Sequence, residues 1–127
     1  MEISMGLINM EKDYKRITMT KEEFLDTYIF EGLTDLNDGF DAETIKYFTE
    51  QDFDKVLDRV EKYGLSIYGI EPWQDGEYYD CKVFESYEDN YESAADPKWY
   101  RSVFEGFIVQ GEVLQYAASY GVPEELL

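Results

Sequence analysis

The chain has 127 residues, the length of one ordinary domain, of which 44% are hydrophobic and 17% aromatic. That supply of core-forming side chains excludes a disordered acidic tail, and a domain of this length buries roughly two thirds of the surface its unfolded form exposes. Against 29 Asp and Glu stand 11 Lys and Arg, a formal charge of −18, so direct binding to nucleic acid or to an anionic membrane is disfavoured.

Met1–Tyr14 reads either as an extra strand or as a flexible arm. It lacks the basic start and the apolar run of a secretory signal, and no stretch is long enough for a membrane span. The lone Cys81 has no partner for an internal disulfide. Together these features lead us to expect a cytoplasmic protein and a single domain over 1–127.

From Thr20 the pattern turns helical. Thr20 and Glu23 have the spacing of a capping box, Phe24, Leu25, Tyr28 and Ile29 recur on one face, and Gly32 offers a stop. A turn-rich stretch follows, in which Asp41 is expected to cap a short helix carrying Ile45 and Phe48. Thr49 then caps a longer helix. Phe48 and Phe53 flank that cap as a hydrophobic staple, Val56, Leu57, Val60 and Tyr63 continue the apolar face, and Gly64 ends it.

Beyond Gly64 the period changes. LSIYGIE suits a strand, PWQDGE a turn longer than the tight two-residue kind, and YYDCKVF a second, antiparallel strand with Tyr79, Cys81 and Val83 on its buried face. The polar loop ESYEDNYESAAD follows. Asp96 and Pro97 open the last helix, whose stripe is Val103, Phe104, Phe107 and Ile108, and VLQYAASYG supplies a third strand before VPEELL closes as a short turn. The order predicts an α+β fold, with helices packed on one face of a small, mainly antiparallel three-stranded sheet.

Candidate chemistry is sparse. The chain has no histidine, and Cys81 falls in a predicted strand with nothing to activate it, so no catalytic residue is assigned and the domain is not expected to be an enzyme. Asp35, Asn37, Asp38 and Asp41 surround Gly39, as in a calcium loop. With Gly39 at the sixth position, however, Thr34 and Ile45 fall where such a loop needs acidic residues, and the stretch reads as a turn. No metal ligand set and no cofactor motif is assigned.

The charge itself is unevenly spread. Thr20–Glu43 holds eight acidic residues and one lysine, and Glu71–Asp96 nine and one. The second stretch interleaves acids with aromatics, which yields the candidate partner-binding set Glu71, Trp73, Asp75, Glu77, Tyr78, Asp80, Glu85, Tyr87, Glu88, Asp89, Tyr91 and Glu92. Tyrosine and tryptophan anchor interfaces, and carboxylates meet Lys and Arg; the structural reading of the same residues is half-buried strand aromatics and a solvated loop.

The expected function is therefore binding of a basic protein, a nuclease or nucleic-acid-binding partner, by an inhibitor or immunity-like domain. The alternatives are a nucleic-acid mimic of the anti-restriction or anti-defence type, and a small carboxylate-based enzyme or weak cation binder. Immunity-like action predicts a compact acidic patch with an aromatic anchor; mimicry predicts a long stripe of acids.

Overall fold

The computed structural model describes residues 18–83 and 91–127. Within them the fold is α+β, built on an antiparallel sheet of five strands rather than the three expected. Four strands run in the order β1 (Phe48–Thr49), β5 (Gln115–Gly121), β2 (Ser66–Gln74), β3 (Glu77–Tyr78), and β4 (Lys82–Val83) also pairs with β2. The two extra strands are pieces of two residues, too short to show a period in the sequence.

The first helix begins as the capping box requires. The Thr20 amide donates to Glu23 Oε1 at 2.9 Å, and the Glu23 amide to Thr20 Oγ1 at 3.1 Å. Regular α1 covers only Lys21–Phe24, however, and continues as a π-helical turn over Leu25–Ile29, closed by the Phe30 amide on the Leu25 carbonyl at 2.8 Å. Leu25 and Ile29 are buried, while Tyr28, predicted on the core face, is 41% exposed. Its ring lies against Phe24 and Tyr63, with centroids 4.8 and 5.5 Å away.

The short helix expected after Asp41 does not form. Asp41 spends its carboxylate on the Ala42 amide at 2.7 Å and on the Tyr47 hydroxyl, which donates to it at 2.6 Å. Asn37 Nδ2 occupies the carbonyls of Asp41, Ala42 and Ile45 at 3.3, 2.9 and 2.8 Å. Side chains thus take the groups that a helical ladder needs, and the segment sets as a loop.

Helix α2 (Glu50–Tyr63) follows the sequence closely: Thr49 Oγ1 accepts the Asp52 amide at 3.1 Å, and Gly64 ends it at φ 70°. That left-handed stop is cheap only for glycine. Phe53, Val56, Leu57 and Val60 are all fully buried. Arg59, on the same helix, ties down the end of the π-helical turn by donating from Nη1 to the Ile29 and Glu31 carbonyls at 2.9 and 2.7 Å. Arg59→Met keeps the aliphatic stem but loses both charge-assisted bonds, so we expect a loss of about 2 kcal/mol in urea unfolding. A loss under about 0.5 kcal/mol would show that solvent replaces the guanidinium.

The hairpin departs from expectation in a way its proline explains. Strand β2 runs on through Pro72, Trp73 and Gln74, and the turn is only Asp75–Gly76, with φ values of 52° and 81°. Asp-Gly suits such a two-residue connection, in which both residues need positive φ. Pro72 has no amide to return to the neighbouring strand. Its carbonyl instead accepts two amides, from Tyr79 at 3.1 Å and Asp80 at 3.2 Å. The ladder is interrupted there, which splits the predicted strand YYDCKVF into β3 and β4. Tyr79 and Cys81 stay half-buried, but Val83, predicted on the buried face, is 52% exposed.

Polar residues lead into the last helix. Tyr91–Ala94 forms the short α3, and Asp96 caps α4 (Pro97–Ile108), where its carboxylate accepts the Lys98 amide at 3.0 Å. Strand β5 then inserts between β1 and β2, and its register sets Ala118 against Ile70 and Tyr116 between Pro72 and Phe48. Phe53 of α2 and Phe104 of α4 both pack on the Tyr116 ring, with centroids 5.3 and 5.1 Å away. By strand alternation Gly69, Glu71, Trp73, Gln115, Ala117 and Ser119 point the other way. A 3₁₀ turn, Glu124–Leu126, ends the chain, and the Leu127 carbonyl accepts the Met19 amide at 3.0 Å.

Candidate functional site

The face of the sheet turned away from α2 and α4 carries Glu71, Trp73 and Tyr78 of the predicted partner-binding set, and the hairpin around them Asp75, Glu77 and Asp80. Loop residues 35–47 fold over one end of it, held by their own side chains. Asp35 Oδ1 accepts the amides of Asn37 and Tyr47 at 2.9 and 3.0 Å, and Asn37 Oδ1 accepts those of Gly39 and Asp41 at 3.1 and 3.3 Å. The oxygens of Asp35, Asn37 and Asp41 thus serve the loop's own backbone amides and its Lys46 and Tyr47 side chains. Among the described residues no group of three Asp, Glu or Cys side chains lies close enough to hold a metal ion.

This loop presses Phe40 and Tyr47 onto Trp73, at centroid distances of 5.3 and 5.5 Å. Trp73 is half-buried, and its Nε1 donates to Glu71 Oε2 at 2.6 Å. It is therefore a packing residue of a second aromatic cluster rather than a free anchor. Tyr47 is fully buried there; its hydroxyl is held neutral by burial first, then by the bond to Asp41 and the negative charge of Glu71.

Among the described residues of the set, the exposed aromatic is Tyr78. It is 59% exposed, with its ring edge-on to Trp73 at 6.4 Å. Asp75 and Glu77 beside it are exposed, and the Asp75 amide is fixed by Gln115 Oε1 at 2.9 Å. Asp80 is half-buried and accepts the Cys81 amide at 2.7 Å. Burial, followed by the charges of Glu71 and Asp80, pushes the Cys81 thiol up, so the sulfur stays protonated and a poor nucleophile.

Glu85, Tyr87, Glu88 and Asp89 lie outside the described residues, as do the side chains of Tyr91 and Glu92 at the start of α3. The Met1–Tyr14 segment lies outside them too.

Between the loop and the hairpin tip lies an open cleft of about 590 Å³, lined by Leu36, Asp38, Phe40, Asp75, Glu77 and Gln115. It joins the two acidic stretches of the sequence, since Asp38 belongs to the first and Asp75 and Glu77 to the second. All three carboxylates are on exposed residues, and among the described residues none of them takes part in an ion pair. Asp38 was not in the predicted set. Its signal was the Asn37–Gly39 turn, which places a short acidic side chain at a loop tip.

A different acidic row is already occupied. Asp54, Asp58 and Glu61 recur along one face of α2 and all bind Arg101 of α4: Nη1 lies 3.3 Å from Asp54, Nε 3.4 Å from Glu61, and Nη2 bonds to Asp58. The domain thus shows within itself how its carboxylates engage a guanidinium. Among the described residues no helix is long and apolar enough to cross a membrane. Comparison of the chain with protein-family models, with curated proteins and with solved structures gives no match.

Proposed function

We propose that the protein is an acidic binding domain whose cleft between residues 36–40 and the hairpin tip receives basic side chains of a protein partner. The observation that carries this reading is the meeting of Asp38, Asp75 and Glu77 around one open cleft, with exposed Tyr78 next to them in sequence. Unpaired carboxylates around a concave surface attract Lys and Arg, and a neighbouring tyrosine adds contact area at low ordering cost. With a charge of −18, the whole molecule also speeds encounter with a cationic surface and repels anionic ones.

The partner class that fits is a nuclease or nucleic-acid-binding protein, whose basic groove the domain covers in the manner of an inhibitor or immunity protein. A compact patch favours this over nucleic-acid mimicry, because the acids of α2 that could extend a stripe are engaged with Arg101.

Capture from host lysate at physiological salt, with the purified protein as bait, tests the reading. A single basic nuclease or nucleic-acid-binding protein is expected to be retained. Asp38→Lys with Glu77→Lys is then expected to slow association about tenfold while changing dissociation less, and added salt should shrink the difference. Equal losses from Glu124→Lys with Glu125→Lys, at the far terminus of the chain, would reduce the effect to net charge and remove the cleft from the account.

A further inference from the structure

Beyond Tyr47 the 35–47 loop no longer crosses the same sheet face, and Gly69 and Ala117 of that face are themselves buried among the described residues. There the face forms a second depression, a groove of about 320 Å³. Its floor is made of small residues that stand in register across two strands: Gly69 opposite Ser119, and Ala117 opposite Glu71. A Cβ on Gly69 would lie 3.3 Å from the Lys82 carbonyl oxygen, so this part of the floor is already at its packing limit. Ile45 and Val83 border the groove and are 37% and 52% exposed, and Tyr68 lines it too.

One carboxylate, that of Glu71, enters this mainly apolar surface. Glu71 is half-buried, and Trp73 Nε1 occupies its Oε2, which leaves Oε1. Among the described residues no cation pairs with it. Lys82, opposite Ile70 on the neighbouring strand, lines a separate depression with Ser102, Val103 and Phe107, and Lys46 pairs with Asp35 at 3.9 Å. An apolar trough with a single unneutralised acid matches a side chain with an aliphatic stem and a cationic head.

We propose that this groove seats an arginine side chain of a basic protein partner, its stem over Gly69, Ala117 and Ser119 and its guanidinium on Glu71 Oε1. Arginine fits better than lysine because its head is less strongly hydrated and packs against aromatic and apolar walls. A half-buried carboxylate is also screened less by salt than the exposed acids of the cleft. An arginine held in a pocket is a recurrent anchor of protein interfaces, so the groove supplies the short-range lock that the acidic cleft, acting at longer range, lacks. The proposal rests on the reading that the partner is a basic protein, but its own test does not require that partner.

The test is a titration of the isotope-labelled full chain with N-acetyl-arginine methylamide, followed by amide shifts. Saturable shifts are expected at Gly69, Glu71, Ala117 and Ser119, and weaker binding of the lysine counterpart. Glu71→Gln keeps an acceptor for Trp73 and is expected to weaken binding about tenfold. Ser119→Leu, at an exposed position, fills the groove and is expected to abolish it. Glu77→Lys, in the cleft, is expected to leave the titration within about twofold. Shifts centred elsewhere, or binding unchanged in both Glu71→Gln and Ser119→Leu with native spectra, would overturn the proposal. Equal binding of the leucine counterpart would overturn it as well, by making the groove a plain apolar site. If the titration localises to the groove while partner capture ignores Asp38 and Glu77, the groove stands and the cleft reading falls.

Discussion

Phe53→Ala is expected to cost about 3–5 kcal/mol of folding stability, a large share of the roughly 5–15 kcal/mol a domain of this size has. The ring is fully buried; it stacks on Tyr116 at 5.3 Å with an interplanar angle of 16° and meets Phe104 at 5.3 Å and 66°. It is therefore the point where α2, α4 and the central strand touch one another. Alanine leaves a cavity between three elements whose backbones are fixed by their own hydrogen bonds, so little of it can collapse. Urea unfolding measures the loss as a lower midpoint at unchanged slope. Val109→Ala, at a position 81% exposed, is the control and should stay within about 0.5 kcal/mol. A loss below about 1 kcal/mol for Phe53→Ala would mean that the core repacks around the gap.

The second large effect is a collapse of stability in alkali. Burial, as the leading cause, pushes the Tyr100 and Tyr116 hydroxyls up to about 12, and it raises Tyr47 and Tyr120 as well. In the unfolded chain a tyrosine ionises near pH 10. Below pH 10 both states hold the proton and the contribution of these residues is fully present. As pH rises past 10, the unfolded state gives up protons that the folded state still binds, so unfolding becomes progressively more favourable. For Tyr100 and Tyr116 that stabilisation is exhausted once the pH passes the folded value of about 12.

Each such tyrosine contributes a slope of about 1.4 kcal/mol per pH unit in that window. Tyr100 and Tyr116 together should therefore remove about 3 kcal/mol per unit, enough to unfold the domain cooperatively within the window. Urea midpoints taken at constant ionic strength at pH 8, about 10 and about 11 check this. Tyr116→Phe removes one ionising hydroxyl and should reduce the slope by about 1.4 kcal/mol per unit. An unaltered slope in that variant would show that another group carries the alkaline transition. The Tyr100, Tyr116 and Tyr120 hydroxyls find no hydrogen-bond partner within the described residues, so their removal should cost little at neutral pH.

Under the two proposals, the cleft and the groove differ in where their carboxylates lie. Asp38, Asp75 and Glu77 are exposed and sensitive to salt, whereas Glu71 is half-buried beside Trp73. Salt should therefore weaken the contribution of the cleft before that of the groove.

By itself the sequence determined what depends on neighbours three or four residues apart. The caps at Thr20, Thr49 and Asp96 and the left-handed stop at Gly64 were legible because each is a bond or a backbone angle within one turn of helix. The apolar faces of α2 and α4 were legible for the same reason, and β5, at seven residues, was long enough to read as a strand. The acidic excess needed only counting. Of the candidate site, the segment from Glu71 to Asp80 was legible as an acidic and aromatic run, but not the separate roles of its members.

Those roles were decided by the tertiary structure. Insertion of β5 between β1 and β2 set the strand order, and no local pattern records which strands become neighbours. The same topology brought the 35–47 loop over Trp73, turning an expected anchor into a packing residue and leaving Tyr78 exposed. Asp38 reached Asp75 and Glu77 across nearly forty residues of chain, a meeting governed by loop closure and long-range packing rather than propensity. Even the failure of the helix after Asp41 was decided at that level. Its carboxylate found the Tyr47 hydroxyl in the folded domain, and that bond, with Asn37 on the loop carbonyls, outweighed the weak pull of a short helix.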